Sequence, residues 1–274
     1  MRVSSAVPVF FRVFCRLPII RSTDCTACTR LRKTVSICFC FFGFISFRPA
    51  NQGGGSVGKV LYAAVRGALS PGNRLASVGR RAFLDYWPIR RFSTEPERIY
   101  RSFRWGQALE LFVLDVRQYR DLNRGTMLGK AQKEWLLSGI SNSTSTFKFV
   151  ATTVPMAGGG SDRWDGFPKE REEILRYINN RKLRGVVFLS GDMHYAAITK
   201  IPRSGGLKDI TAGPLAAPLN RVTDGTARRY EYYLAENFNF AKITVDPMKD
   251  RNQALVEFVD QDNRIFHTAK LSAG

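Results

Sequence analysis

The sequence predicts an α/β protein in which a layered β-sheet carries helices on its faces and ends in an antiparallel meander. Three observations lead to this. From about residue 108 to residue 190, strand-like apolar runs alternate with amphipathic helical segments. Val186, Val187, Phe188 and Leu189 form a β-branched and aromatic run without polar alternation, the pattern of a strand covered on both faces. Beyond residue 238, three segments alternate apolar and polar residues with a period of two.

The chain has 274 residues and is 44% hydrophobic, enough for one large domain or two small ones. Its net charge of +19 looks like a nucleic-acid signal until it is located. The first 84 residues hold thirteen Arg or Lys against one acid, Asp24, leaving +7 for the remaining 190. Most of the excess therefore belongs to a leader, which argues against a nucleic-acid partner. The weakly positive body suits an anionic substrate.

Residues 1–55 read as that leader, disordered or targeting-like, with residues 56–274 as the domain. The stretch is rich in Arg, Ser and Thr and carries no sustained periodicity. Organelle targeting, secretion and a mispredicted first exon all fit its composition. Val35 to Phe47 is thirteen residues without a charge, too short to cross a bilayer comfortably, so no transmembrane helix is expected. All five cysteines lie in the first forty residues. Cys25-x-x-Cys28 with Cys38-x-Cys40 lacks zinc-site spacing in its second pair, and the body has no thiol for a disulfide.

A flexible break at Asn51–Ser56 is followed by a short helix expected over Gly58–Leu69 and a second over Arg80–Tyr86. A strand is expected from about Ala108 to Leu114, with Arg101 and Arg104 ahead of it. The polar loop Asp115-Val-Arg117-Gln-Tyr-Arg120-Asp121 follows, with four ionisable residues in seven. It is either an Asp–Arg network that orders the loop or a substrate-binding element. Lys130–Ile140 is an amphipathic helix, Phe147–Thr153 a strand, and a helix from Pro168 to about Asn180 buries Ile174, Leu175 and Ile178. After the central strand, return strands are expected over Ala196–Ile201 and Leu207–Ala212. Asn220–Asn237 reads as irregular or partly helical. The meander strands are Phe238–Val245, Ala254–Val259 and Ile265–Leu271, with a turn near Asp262-Asn263 and His267 as an ordinary strand residue.

Chemistry is expected at SGDMH, where Ser190 and Gly191 end the buried strand. Asp192 and His194 are two residues apart, and in extended backbone they would point to the same side. They would stand beyond the carboxyl end of a strand, the usual place for ligands in open α/β sheets. A carboxylate and an imidazole suit a divalent or trivalent metal, whereas a capping Asp and a hydrogen-bonded His are the bland alternative.

In order, FLDYWPIR (Phe83–Arg90), YRSFRWG (Tyr100–Gly106), LDVRQYRD (Leu114–Asp121), TMLGKAQKEWL (Thr126–Leu136), WDGFPKER (Trp164–Arg171) and VVFLSGDMHYA (Val186–Ala196) resemble the PhoD-like alkaline phosphatase family over about residues 75–265. The resemblance implies a calcineurin-like metallophosphatase fold, a β-sandwich with flanking helices, and hydrolysis of phosphomonoesters or phosphodiesters. It implies metal ions, with calcium and iron as the family's pattern, and puts Asp192 and His194 where late metal ligands stand. Arg117 and Arg120 are assigned from position and chemistry as the clamp on a small phosphoester substrate. The family's early ligands should precede FLDYWPIR, yet residues 1–75 hold one Asp, no Glu and no His. The domain is thus expected to be incomplete: the C-terminal part of a phosphatase, or an inactive remnant serving as a folding or binding module. Asp209 falls where the family's Glu is expected.

Overall fold

A computed structural model describes residues 35–39, 74–86, 89–158, 160–215, 217–221 and 229–274. The chain divides into two units, Met1–Lys33, which lies outside the described residues, and Thr34–Gly274. The helix expected at Gly58–Leu69 also lies outside them.

A seven-stranded sheet organises the second unit. It is built from β2 (Arg101–Trp105), β3 (Leu109–Val113), β4 (Phe147–Ala151), β5 (Val186–Ser190), β6 (Ala196–Lys200), β7 (Lys208–Thr211) and β8 (Tyr230–Leu234), in the order β2-β3-β4-β5-β7-β6-β8. The central strands β3, β4, β5 and β7 are parallel, while β2, β6 and β8 run antiparallel to their partners. Helix α2 (Gly129–Asn142) connects β3 to β4, and α3 (Pro168–Asn180) connects β4 to β5. An earlier helix, α1, spans Arg74–Tyr86.

The central strand explains its own sequence. Val186 and Phe188 join the core formed with Leu136, Ile140, Ile174 and Ile178 of α2 and α3. Val187 and Leu189 join the opposite core, with Ile243, Val256, Phe258 and Leu271 of the second sheet. Both faces are covered, so alternation has no role there. Gly185 precedes this strand at φ 67°, and a Cβ on it would lie 2.0 Å from the Thr146 carbonyl oxygen. Only glycine lets β5 enter beside β4.

The second sheet has the order β1-β9-β10-β11, from Val35–Phe39, Asn239–Val245, Gln253–Asp260 and Ile265–Ser272. Alternate residues of β9 are buried, as its period of two requires. Three expectations need correction. Val35–Phe39, inside the expected leader, pairs antiparallel with β9. Its alternation of Val, Ile and Phe with Ser and Cys is a strand pattern hidden within a longer uncharged run. Arg101–Trp105 is a strand in its own right, not only an approach to β3. Tyr230–Leu234 is likewise a strand, where irregular or helical chain was expected. Both are edge strands of the large sheet, without the clean apolar face that periodicity detects.

Candidate functional site

Because β3, β4, β5 and β7 are parallel, their carboxyl ends lie along one edge, and the loops after them meet there. After β3, the buried Asp115 organises the loop. Its Oδ1 accepts the N–H groups of Arg117 and Gln118, each at 3.0 Å, and its Oδ2 accepts Gln118 Nε2 at 2.6 Å. From α2, Gln132 holds the Asp115 backbone by both ends, accepting its N–H at 2.8 Å and donating to its carbonyl at 2.8 Å. The loop is therefore ordered by side chains on backbone and not by an Asp–Arg network.

That arrangement leaves the two arginines without carboxylate partners among the described residues. Arg120 is only 6% exposed, and its guanidinium donates to the backbone carbonyl of Asp162. Among the described residues neither Arg117 nor Arg120 forms an ion pair. Burial first, and then the neighbouring Arg117, push the Arg120 guanidinium below its usual pKa, while Asp162 and Asp192 oppose the shift. A desolvated cation beside a like charge is costly, and an anion relieves that cost.

After β5, Asp192 and His194 both have left-handed backbone, with φ of 69° and 61°. The extended geometry expected of them does not hold. Single non-glycine residues in this region cost about 1 kcal/mol or more and persist where surrounding contacts over-determine them. Those contacts are present. Arg163, in the loop after β4, donates Nε to Asp192 Oδ2 at 2.8 Å. On the other side, His194 Nδ1 lies 2.7 Å from the Pro218 carbonyl, in the loop after β7. A carbonyl only accepts, so Nδ1 carries the proton and Nε2 of the neutral ring presents its lone pair. Asn220 adds two bonds, from its N–H to the His194 carbonyl at 3.2 Å and from Nδ2 to the Met193 carbonyl at 3.0 Å.

Beneath this edge, Asp209 on β7 is 1% exposed. Its Oδ1 lies 2.6 Å from the Ser190 hydroxyl, and Oδ2 accepts the Met156 N–H at 2.7 Å. Burial raises its pKa to about 6, although both hydrogen bonds pull the other way. Asp209 ties β7, β5 and the loop after β4 together from within.

Arg117, Arg120 and Asp192 are thus brought to one stretch of edge, linked through the Asp162–Arg163 backbone, with His194 two residues further on. Arg163, Gln132, Pro218 and Asn220 are contributors that the sequence reading did not single out. Arg163 sits between Asp162 and Trp164 in a polar loop, and the two loop residues act largely through backbone groups, so no spacing marks them. Asp192 Oδ1 has no hydrogen-bond partner among the described residues, so this oxygen and His194 Nε2 are the two donors available to a metal. No group of three or more His, Cys, Asp or Glu capable of holding an ion is found among the described residues. No described helix is long and apolar enough to cross a membrane.

Comparison with known proteins agrees with this architecture. Alkaline phosphatase D of Bacillus subtilis (strain 168) is 33% identical over 144 residues, which is 42% of this chain and 24% of that protein. A solved chain described as the structure of PhoD superposes with a TM-score of 0.58 at 20% identity, covering 74% of this chain and 48% of its own length. The chain therefore spans about a quarter of the curated relative and about half of the solved chain. The model of the PhoD-like phosphatase family matches residues 66–237, a span that includes α1, both helical crossovers and all four loops of the edge, and the chain belongs to that family.

Proposed function

We propose that the carboxyl edge of the large sheet is the phosphoester-binding part of a PhoD-like phosphatase with a calcineurin-like fold. The carrying observation is the desolvated Arg120 with the half-buried Arg117 beside it, neither of them paired with a carboxylate among the described residues. A phosphate group offers what that pair lacks, since its oxygens accept charge-assisted bonds from planar guanidinium forks and its charge offsets their mutual repulsion. The substrate class is a small phosphomonoester or phosphodiester.

The PhoD family is generally metal-dependent. Asp192 Oδ1 and His194 Nε2 would supply two ligands of such a centre, with Arg163 and Pro218 fixing their orientation. Two donors do not make a metal site, and the described residues gather no third. The residues present therefore do not fit a complete centre, and no step is routed through one. What they do is hold a phosphate group at the sheet edge and keep the imidazole in one tautomer.

The lack of a third ligand among the described residues favours a second reading, in which the same edge binds phosphoesters without turnover. Hydrolysis of a generic aryl phosphate by the 274-residue chain, with calcium, iron, manganese or zinc supplied, separates the two. Little or no turnover is expected from this chain. Robust metal-dependent turnover, lost in His194→Ala, would show that further ligands exist outside the described residues and would remove the non-catalytic reading.

A further inference from the structure

We infer that Asn220 is a positioning residue that locks the His194 side chain in its Nδ1–H form and so keeps the Nε2 lone pair presented at the sheet edge. The inference rests on the reading of His194 as a site residue.

The first support is strain. His194 sits at φ 61°, a conformation that an L-residue adopts at a cost, within the turn that also holds Asp192 at φ 69°. Relaxation of this turn toward ordinary backbone would swing the imidazole away from the Pro218 carbonyl. The second is the placement of Asn220. Its backbone N–H holds the His194 carbonyl at 3.2 Å, and its side-chain amide holds the Met193 carbonyl at 3.0 Å. One residue thus grips two consecutive peptides of the strained turn while Pro218, two positions before it, receives the imidazole N–H at 2.7 Å.

The third support is that the gripping segment is itself anchored. The Tyr233 hydroxyl donates to the Asn220 carbonyl at 3.2 Å, from β8. At the start of the same loop, Asn239 of β9 accepts the Gly213 N–H at 2.9 Å and donates its own N–H to the Pro214 carbonyl at 3.0 Å. A Cβ on Gly213 would meet the Asn239 amide at 2.1 Å, so the loop is seated closely on β9. Asn220 therefore transmits a fixed frame, built from both sheets, to a turn that would otherwise relax. The alternative is that Asn220 only satisfies loop carbonyls and leaves the imidazole indifferent.

The chain has only two histidines, which makes the test direct. Long-range nitrogen–proton correlation spectra of the full chain, recorded without phosphate or metal above the imidazole titration range, report which ring nitrogen carries the proton. His267→Gln assigns the two rings, and His267, stacked on Tyr232 at 3.5 Å, is the internal control. Wild type is expected to show His194 as the Nδ1–H form. In Asn220→Ala the ratio of the Nδ1–H to the Nε2–H form should fall about fivefold or more, the effect of losing one hydrogen bond, with His267 unchanged. If Asn220→Ala does not fold, Asn220→Ser, whose side chain is too short to span to Met193, replaces it. A mixture in wild type, or an unchanged single tautomer in a folded variant, would overturn the inference. Failure of phosphate binding would count against the proposed function and leave this result readable.

Discussion

Asp209 shows how a single buried residue ties the edge to pH. Its folded pKa of about 6 lies above the ordinary carboxylate value, because burial disfavours the charged form more than two hydrogen bonds favour it. The sign follows from proton linkage. Between the unfolded and folded pKa values the native state holds a proton that the unfolded state has released, so stability falls as pH rises through that window. The contribution is complete below about pH 4 and lost above about pH 6, a difference on the order of 3 kcal/mol for a fully buried group. Protonated Asp209 can donate to Ser190, whose hydroxyl then donates to Thr211 Oγ1 at 3.0 Å. An asparagine reproduces that arrangement without the charge. Thermal melts of Asp209→Asn should therefore lack the decline between pH 4 and 6, and an undiminished decline would place the titration elsewhere. The Asp at this position was noticed in the sequence, whereas its neutral form was not legible, since it depends on total burial beneath three strands.

At the scale of elements, α2 begins on a cap supplied by another helix. Leu128 gives it no side-chain cap of its own. Glu170, buried in the first turn of α3, accepts the Met127 and Leu128 N–H groups through Oε2 and the Thr126 hydroxyl through Oε1 at 2.8 Å. Thr126 in turn accepts the Gly129 N–H at 2.8 Å. A carboxylate therefore meets the positive end of α2 and fixes it against α3. Glu170→Ala should destabilise the fold by about 2–3 kcal/mol, because it leaves buried donors unsatisfied. Denaturant unfolding checks this, and a loss below about 0.5 kcal/mol would show that water replaces the cap. Nothing in TMLGKAQ announces such a cap, because its donor set and acceptor lie more than forty residues apart. The same limit explains which elements could be read. The buried strand at Val186 and the helix at Pro168 carry strong local patterns, whereas β2 and β8 are edge strands defined by their partners. β1 is a further case, a two-residue alternation lost inside an uncharged run.

At the scale of the whole second unit, four parallel strands ending on one side gather their loops along a single edge, with helices behind one face of the sheet and a second sheet on the other. The placement of Asp192 and His194 beyond a buried strand was legible, as was the excess of charge in the loop that holds Arg117 and Arg120. Their convergence was not legible, because it is made by Arg163, Gln132 and Asn220 acting across loops far apart in sequence. On the proposed reading, the arginine pair serves an anion rather than the fold. Titration of the full chain with inorganic phosphate, followed by calorimetry in wild type, Arg117→Gln and Arg120→Gln, tests this claim most directly. The account predicts that wild type binds phosphate and that each substitution weakens binding about tenfold or more, the effect of losing a charge-assisted hydrogen bond. It also predicts that phosphate-free Arg120→Gln melts at or above wild type, since a buried cation with no carboxylate partner among the described residues has been removed. No measurable phosphate binding by wild type, or undiminished binding when both arginines are replaced, would contradict it.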